Sequence, residues 1–256
     1  MEIKVFDTSK ELGKAAAVFS AQVLNRAIAE KGKARLLMST GASQFDTIEA
    51  LRDADVEWDK VEMFHLDEYI GLPETHPASF RKYLKERFLS YVDIRKAHLV
   101  NPDNGVEPAL ELLTREVRAG EIDLGLIGIG ENAHIAFNDP PADFETKEAF
   151  LVVNLDEACK KQQMREGWFA TIEDVPKQAI SMSVYQIMQC KTILSCVPYA
   201  AKADAVKKTL ESDLTNQVPA TMLKTHSNFH LFLDKDSAAK VADKIECIKN
   251  NVENMT

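Results

Sequence analysis

Four short segments carry residue types that could do chemistry together. The stretch Phe64-His65-Leu66-Asp67-Glu68-Tyr69 sets two adjacent carboxylates just past an apolar run. Two acids there are costly to bury without partners, so at least one is expected to face a cleft or a hydrogen-bond donor. A cleft carboxylate can take a proton from carbon or oxygen, whereas a turn acid that only caps the next segment is the plainer alternative. A metal pair of His65 with Asp67 is weaker, because alternate strand residues face opposite sides.

Gly128-Ile129-Gly130-Glu131-Asn132-Ala133-His134 places a histidine in a tight glycine turn, with Asn138 and Asp139 a few residues on. That is the arrangement of a proton-transferring imidazole held by polar neighbours, although a structural histidine is also open. The same stretch matches G-x-G-x-x-[GA], with Asp156 placed where a ribose-binding acid would fall. Pro140 and Pro141 arrive before a crossover helix could develop, and the motif sits in mid-chain, so a dinucleotide site is not expected. Ser39, Thr40, Gly41, Ala42 and Ser43 form a run of small residues entering a helix, where backbone and hydroxyls can approach an anion. An N-capped turn is the plainer reading, and no G-x-x-x-x-G-K-[ST] is present. Lys202 follows the run TILSCV and the turn Pro198-Tyr199, which makes it a candidate anion ligand instead of a solvated surface lysine. His76, His98, His226 and His230 show no ligand spacing and are read as structural.

The elements that must position these residues alternate between short apolar runs and amphipathic stretches. Strands are expected at 34–38, 61–66, 98–100, 124–129, 150–154, 179–182, 192–197 and 228–233. Helices are expected at 10–30, 79–91, 108–117, 200–210 and 237–252, with long loops or a lid at 138–144 and 160–165. This rhythm predicts an α/β fold: a Rossmann-like, open, mostly parallel sheet with helices on both faces. No repeat, low-complexity tract or Gly/Ser linker divides the chain, so a single domain over residues 1–256 is expected. In such a sheet, ligands sit beyond the carboxyl ends of the strands, and all four segments lie there.

The composition bounds the partners. With 31 Lys and Arg against 40 Asp and Glu, the formal charge of −9 argues against general nucleic-acid binding and against attraction to anionic membranes. The start lacks an unbroken apolar region and a small-residue cleavage site, and no window is long and apolar enough to span a bilayer. Cys159, Cys190, Cys196 and Cys247 contain no C-x-x-C pair, which suits reduced structural thiols in a cytoplasmic protein.

The stretches STGAS, FHLDEYIGLP with HPASFRKYL, IDLGLIGIGENAHIAFNDP, VPKQAISMSV, PYAAKADAV and ATMLKTHSNFHLFLD, in this order, resemble the glucosamine-6-phosphate deaminase/isomerase family. That family shares a superfamily with 6-phosphogluconolactonase. The resemblance implies conversion of glucosamine 6-phosphate and water to fructose 6-phosphate and ammonia, as in N-acetylglucosamine catabolism, without metal or organic cofactor. It assigns the C1–C2 proton transfer to Asp67 and assistance of ring opening to His134. It places the phosphate on Ser39, Thr40, Gly41, Ala42 and Ser43 with Lys202. A phosphorylated amino sugar is the implied partner, and a homo-oligomer is compatible with it.

The chain departs from the family pattern at several points. Asn132 stands where the family has an acid, Ala133 where it has a glycine and Asp139 where it has a glutamate, and Asn132 and Asp139 are candidates for orienting His134. Arg165 is the nearest match to the family's phosphate arginine, with Lys161, Gln162 and Gln163 beside it. Asp143 and Glu145 replace the basic residues that bind an N-acetylated effector, so no such activation is expected. Two alternatives stay open: a lactonase-like hydrolase on the same scaffold, and a catalytically weak sugar-phosphate sensor.

Overall fold

The run ARLLM is buried at every position, which only an interior strand covered on both faces can use. A computed structural model describes residues 1–165 and 167–245 of the chain. In chain order the first elements are β1 (Glu2–Phe6), α1 (Ser9–Lys31), β2 (Ala34–Met38), α2 (Phe45–Arg52), β3 (Val61–His65), β4 (Asp67–Tyr69), α3 (Phe80–Leu84), β5 (Lys96–His98) and α4 (Val106–Arg118). There follow β6 (Leu124–Leu126), β7 (Phe150–Asn154), α5 (Glu157–Arg165), β8 (Gln178–Met182), α6 (Val184–Ile187), β9 (Thr192–Val197), α7 (Ala203–Glu211), β10 (Phe229–Asp234) and α8 (Lys235–Ala238).

Seven strands form one parallel sheet in the order β1-β10-β9-β6-β2-β3-β5. Side-chain alternation divides its core. Leu36, Met38, Met63 and Phe232 face α1 and α2, whereas Leu37, Phe64, Ile193 and Leu231 face α4 and α7. Helices therefore cover both faces, as expected. The strand order reverses between β2 and β6, and loops leaving there in opposite directions open a crevice at the strand carboxyl ends.

The strand positions depart from expectation at the edges. The two edge strands are β1, which was not expected, and β5, which ends at His98 where a strand over 98–100 was expected. An edge strand covers only part of its surface, so EIKVF and KAH lack the apolar run that marks an interior one. The strands at 150–154 and near 179–182 are present, but as β7 and β8 they pair antiparallel with each other, and β8 with β4, in a separate three-stranded sheet. An apolar run records burial and not the sheet that supplies it. The 79–91 stretch continues from α3 as a π-helical turn, and the 160–165 segment is part of a helix, α5, not a loop. Of the helix expected at 237–252, the described residues hold α8 up to Ala238 and helix again at 242–245, and those from 246 on lie outside the described ones. No helix among the described residues is long and apolar enough to cross a membrane.

Candidate active site

Each chemical side chain enters the crevice from the carboxyl end of a strand. After β2, Ser39, Thr40, Gly41, Ala42 and Ser43 line one wall, and Gly41 takes φ +105, a conformation that glycine adopts without strain. The loop is pinned from outside: the Tyr83 hydroxyl donates to the Gly41 carbonyl at 2.9 Å, and the Gln44 amide donates to the Cys196 carbonyl at 3.0 Å. Ser39 Oγ is buried and has no hydrogen-bond partner among the described residues. Lys202, buried in a 3₁₀ turn after β9, lines the same crevice.

After β3 the chain passes into β4, and alternation sends the two acids apart. Glu68 is fully buried and accepts from the Ser79 hydroxyl and the Arg81 amide at 2.8 Å each, and it pairs with the Arg81 guanidinium at 3.3 Å. Asp67 lines the crevice and has no hydrogen-bond partner among the described residues. Burial, with the Glu68 charge behind it, pushes its carboxyl up to about 8. A carboxylate with such a pKa is well matched to taking a proton near neutral pH. The Glu68–Arg81 pair was not foreseen, because its partner arrives from a separate helix and nothing local to Glu68 marks it.

After β6 the chain folds into a closed turn. The Gly130 amide donates to the His134 carbonyl and the Ala133 amide to the Gly130 carbonyl, both at 2.9 Å. No crossover helix follows, and Asp156 instead caps α5 by accepting from the Cys159 amide, so the dinucleotide alternative is rejected. His134 Nδ1 and Asp139 Oδ1 are 2.8 Å apart, and the Asn132 amide donates to the same Asp139 oxygen at 3.0 Å. Burial pushes the Asp139 carboxyl up, but its bond to His134, the charge of that ring and the Asn132 bond outweigh this and hold it below the usual range. Asn132 also accepts from the His134 amide at 3.1 Å, so it braces the turn and the carboxylate, not the ring.

The helix α5 closes one side. Gln162 and Gln163 line the crevice, and Gln162 Oε1 accepts from the Glu131 amide at 3.3 Å. Arg165 points elsewhere: it is exposed, pairs with Glu131 and is not among the lining residues. The crevice measures about 590 Å³ counting its open mouth. Gathered in it are a base, a buttressed imidazole, a small-residue loop and a buried cation, enough to hold a sugar phosphate and move protons on it.

A sequence profile of the family described as glucosamine-6-phosphate isomerases/6-phosphogluconolactonase matches residues 7–232. The glucosamine-6-phosphate deaminase of Shouchella clausii is 36% identical over 234 residues, covering 88% of this chain and 93% of its own. That of Clostridium botulinum strain Kyoto is 34% identical over 247 residues, covering 94% and 99%. The chain belongs to the glucosamine-6-phosphate isomerase/6-phosphogluconolactonase family. A solved monomeric glucosamine-6-phosphate deaminase superposes with a TM-score of 0.85 at 29% identity over 94% of this chain and all of its own. A 6-phosphogluconolactonase of Trypanosoma brucei shares the fold, with a TM-score of 0.75 at 16% identity over 94% of this chain and 98% of its own.

Within this family the departures acquire structure. Ala133 stands at a position with φ +67, where a glycine would be unstrained. Asp139, one methylene shorter than the glutamate of the family pattern, still reaches His134. Asp143 does local work: its Oδ1 accepts from the Glu145 and Thr146 amides at 2.9 Å each.

Proposed function

We propose that the chain is a glucosamine-6-phosphate deaminase, converting glucosamine 6-phosphate and water to fructose 6-phosphate and ammonia. The observation that carries this reading is the convergence of Asp67 with the His134–Asp139 dyad in one crevice floored by the small-residue loop. Family membership directs it to a phosphorylated amino sugar.

In this reading Ser39, Thr40, Gly41, Ala42 and Ser43 present amides and hydroxyls to the phosphate, and Lys202 supplies the cation. His134, oriented by Asp139, which Asn132 braces, moves a proton at the ring oxygen as the ring opens. Asp67 removes the C2 proton and returns it to C1, carrying the open amino aldehyde through an enolamine to an imine at C2. Water then adds at C2 and ammonia leaves, so atoms balance without any redox step. Arg165 would have to leave Glu131 to reach a phosphate, so we assign no binding role to it in the described arrangement. The crevice is lined by residues of one copy of the chain, and we take residues 1–256 to act as a single domain in the cytoplasm.

The test is direct. Purified protein given glucosamine 6-phosphate releases ammonia and forms a ketose phosphate in equal amounts. Failure with both glucosamine and galactosamine 6-phosphates rejects the reading. Hydrolysis of 6-phosphogluconolactone above the uncatalysed rate, with no ammonia release from either amino sugar, would move the chain to the lactonase branch. Ligand-induced thermal stabilisation without turnover would make it a sensor.

A further inference from the structure

Cys159 takes no part in the proton transfers above, yet the fold seats it beside them. It lies in the first turn of α5, 1% exposed, and donor atoms of His134, Asp139 and Cys159 all fall within 4.8 Å of one another. Asp139 uses Oδ1 for both His134 and Asn132. Its Oδ2 is buried and turned toward the Asp156 amide and the Cys159 thiol, so carboxylate and thiol already face each other. A cation that replaces the thiol proton between them gathers both groups on one centre.

The chemistry of the three donors selects the cation. Imidazole nitrogen, carboxylate oxygen and thiol sulfur suit a borderline-soft ion that accepts four-coordinate geometry, whereas calcium and magnesium demand an oxygen shell. We infer that His134, Asp139 and Cys159 form an inhibitory site for a divalent transition ion of the zinc class. Bond lengths of about 2.0 Å to nitrogen and oxygen and 2.3 Å to sulfur put tetrahedral donors roughly 3.3–3.6 Å apart. Closing the present set on an ion draws in donors now up to 4.8 Å apart by about 1 Å and opens the 2.8 Å His134–Asp139 pair by about 0.5 Å. On binding, the sulfur–hydrogen bond breaks, a sulfur–metal bond forms and the proton leaves to solvent. Carboxylate and thiolate together neutralise the ion, and water completes the fourth position. The ion ties α5 to the catalytic turn and occupies the two groups that hold and move the ring-oxygen proton. The inhibitory sense of the site rests on the function proposed above; the binding does not.

Cobalt(II) alone, titrated into the full chain, reads the site directly. A thiolate-to-cobalt charge-transfer band is expected in the wild type and in Cys190→Ala and Cys247→Ala, displaced by zinc. The band is expected to vanish in Cys159→Ser and in His134→Ala. Zinc is expected to suppress ammonia release at least tenfold and reversibly on chelation, with Cys159→Ser active and needing about 10–100-fold more zinc. A missing band, or one lost with Cys247→Ala and kept with Cys159→Ser, overturns the site. Cobalt binding with zinc-insensitive turnover overturns the inhibition while leaving the deaminase reading intact. If the protein releases no ammonia at all, the cobalt band still decides the binding.

Discussion

Asp67 and Glu68 are neighbours in the chain, yet they have opposite fates because a strand turns successive side chains to opposite sides. Glu68 finds Arg81 and a set of amides; Asp67 faces the crevice, where burial and the Glu68 charge keep its proton up to about 8. As a base it works ionised, so kcat/KM for glucosamine 6-phosphate should climb with pH along a limb centred near 8. Asp67→Asn should lower kcat by about 10²–10⁴-fold and erase that limb. The same group shapes stability. Between about pH 4, where the unfolded carboxyl ionises, and about pH 8 the native state binds the extra proton, so stability falls as pH rises. Melting temperatures of the Asn variant should therefore exceed those of the wild type at pH 8 and converge with them near pH 4; a pH-independent gap would refute the assignment. Gly130 makes the matching statement for the imidazole. A Cβ there would lie 2.2 Å from His134 Nε2, so Gly130→Ala must push the ring off Asp139. Its expected result is a fall in kcat of at least about tenfold, with far-ultraviolet circular dichroism unchanged. Wild-type turnover would show that the ring position is not critical.

Elements act on the site by being fixed to one another. At Gly13 on α1, a Cβ would meet the Asp46 carbonyl oxygen of α2 at 2.6 Å and its carbon at 2.7 Å, and backbone cannot yield as a side chain does. Gly13→Ala must move α2, whose first residues continue directly from the small-residue loop. The expected cost is about 1–3 kcal/mol of stability together with a raised KM for the sugar phosphate; a destabilised variant of unchanged KM would uncouple the loop from α2. How much of this was legible in the sequence follows from what each element buries. Interior strands such as ARLLM and TILSCV declare themselves because both faces are covered. The edges EIKVF and KAH do not, and neither does the split that sends Phe150 and Ile180 to a second sheet, since strand pairing is a long-range choice. The placement of Asp67 and His134 at the crevice was legible because each follows an apolar run within a few residues, Asp67 at the start of β4 and His134 in a closed turn, where spacing alone fixes position. The Glu68–Arg81 pair and the aim of Arg165 toward Glu131 were not, because both depend on how separate segments dock. In α5 the run KKQQ lacks an apolar stripe, so periodicity gave no warning of a helix whose neutral amides line the crevice.

Seen as a whole, the molecule has a charge problem to solve. It carries a net −9 and yet is proposed to bind a doubly charged phosphate, so attraction must be local and repulsion global. The local part is short-ranged: backbone amides of the loop after β2 and Lys202, itself only 7% exposed. Buried contacts of this kind are little affected by salt, whereas the field of the remaining surface is screened over a Debye length of about 30 Å at 0.01 M and 8 Å at 0.15 M. The two terms therefore separate with ionic strength. Raising sodium chloride from about 0.01 to 0.15 M should leave kcat/KM unchanged or raise it by less than about threefold, since only the repulsion is screened. An enzyme that gathers its substrate with a positive field shows the reverse, a steep loss of kcat/KM over the same range. Lys202→Met, which removes the buried cation, should raise KM at both salt concentrations by a similar factor. A steep salt-dependent fall in the wild type, abolished in Arg165→Ala, would instead mean that Arg165 releases Glu131 and recruits the phosphate from outside the crevice.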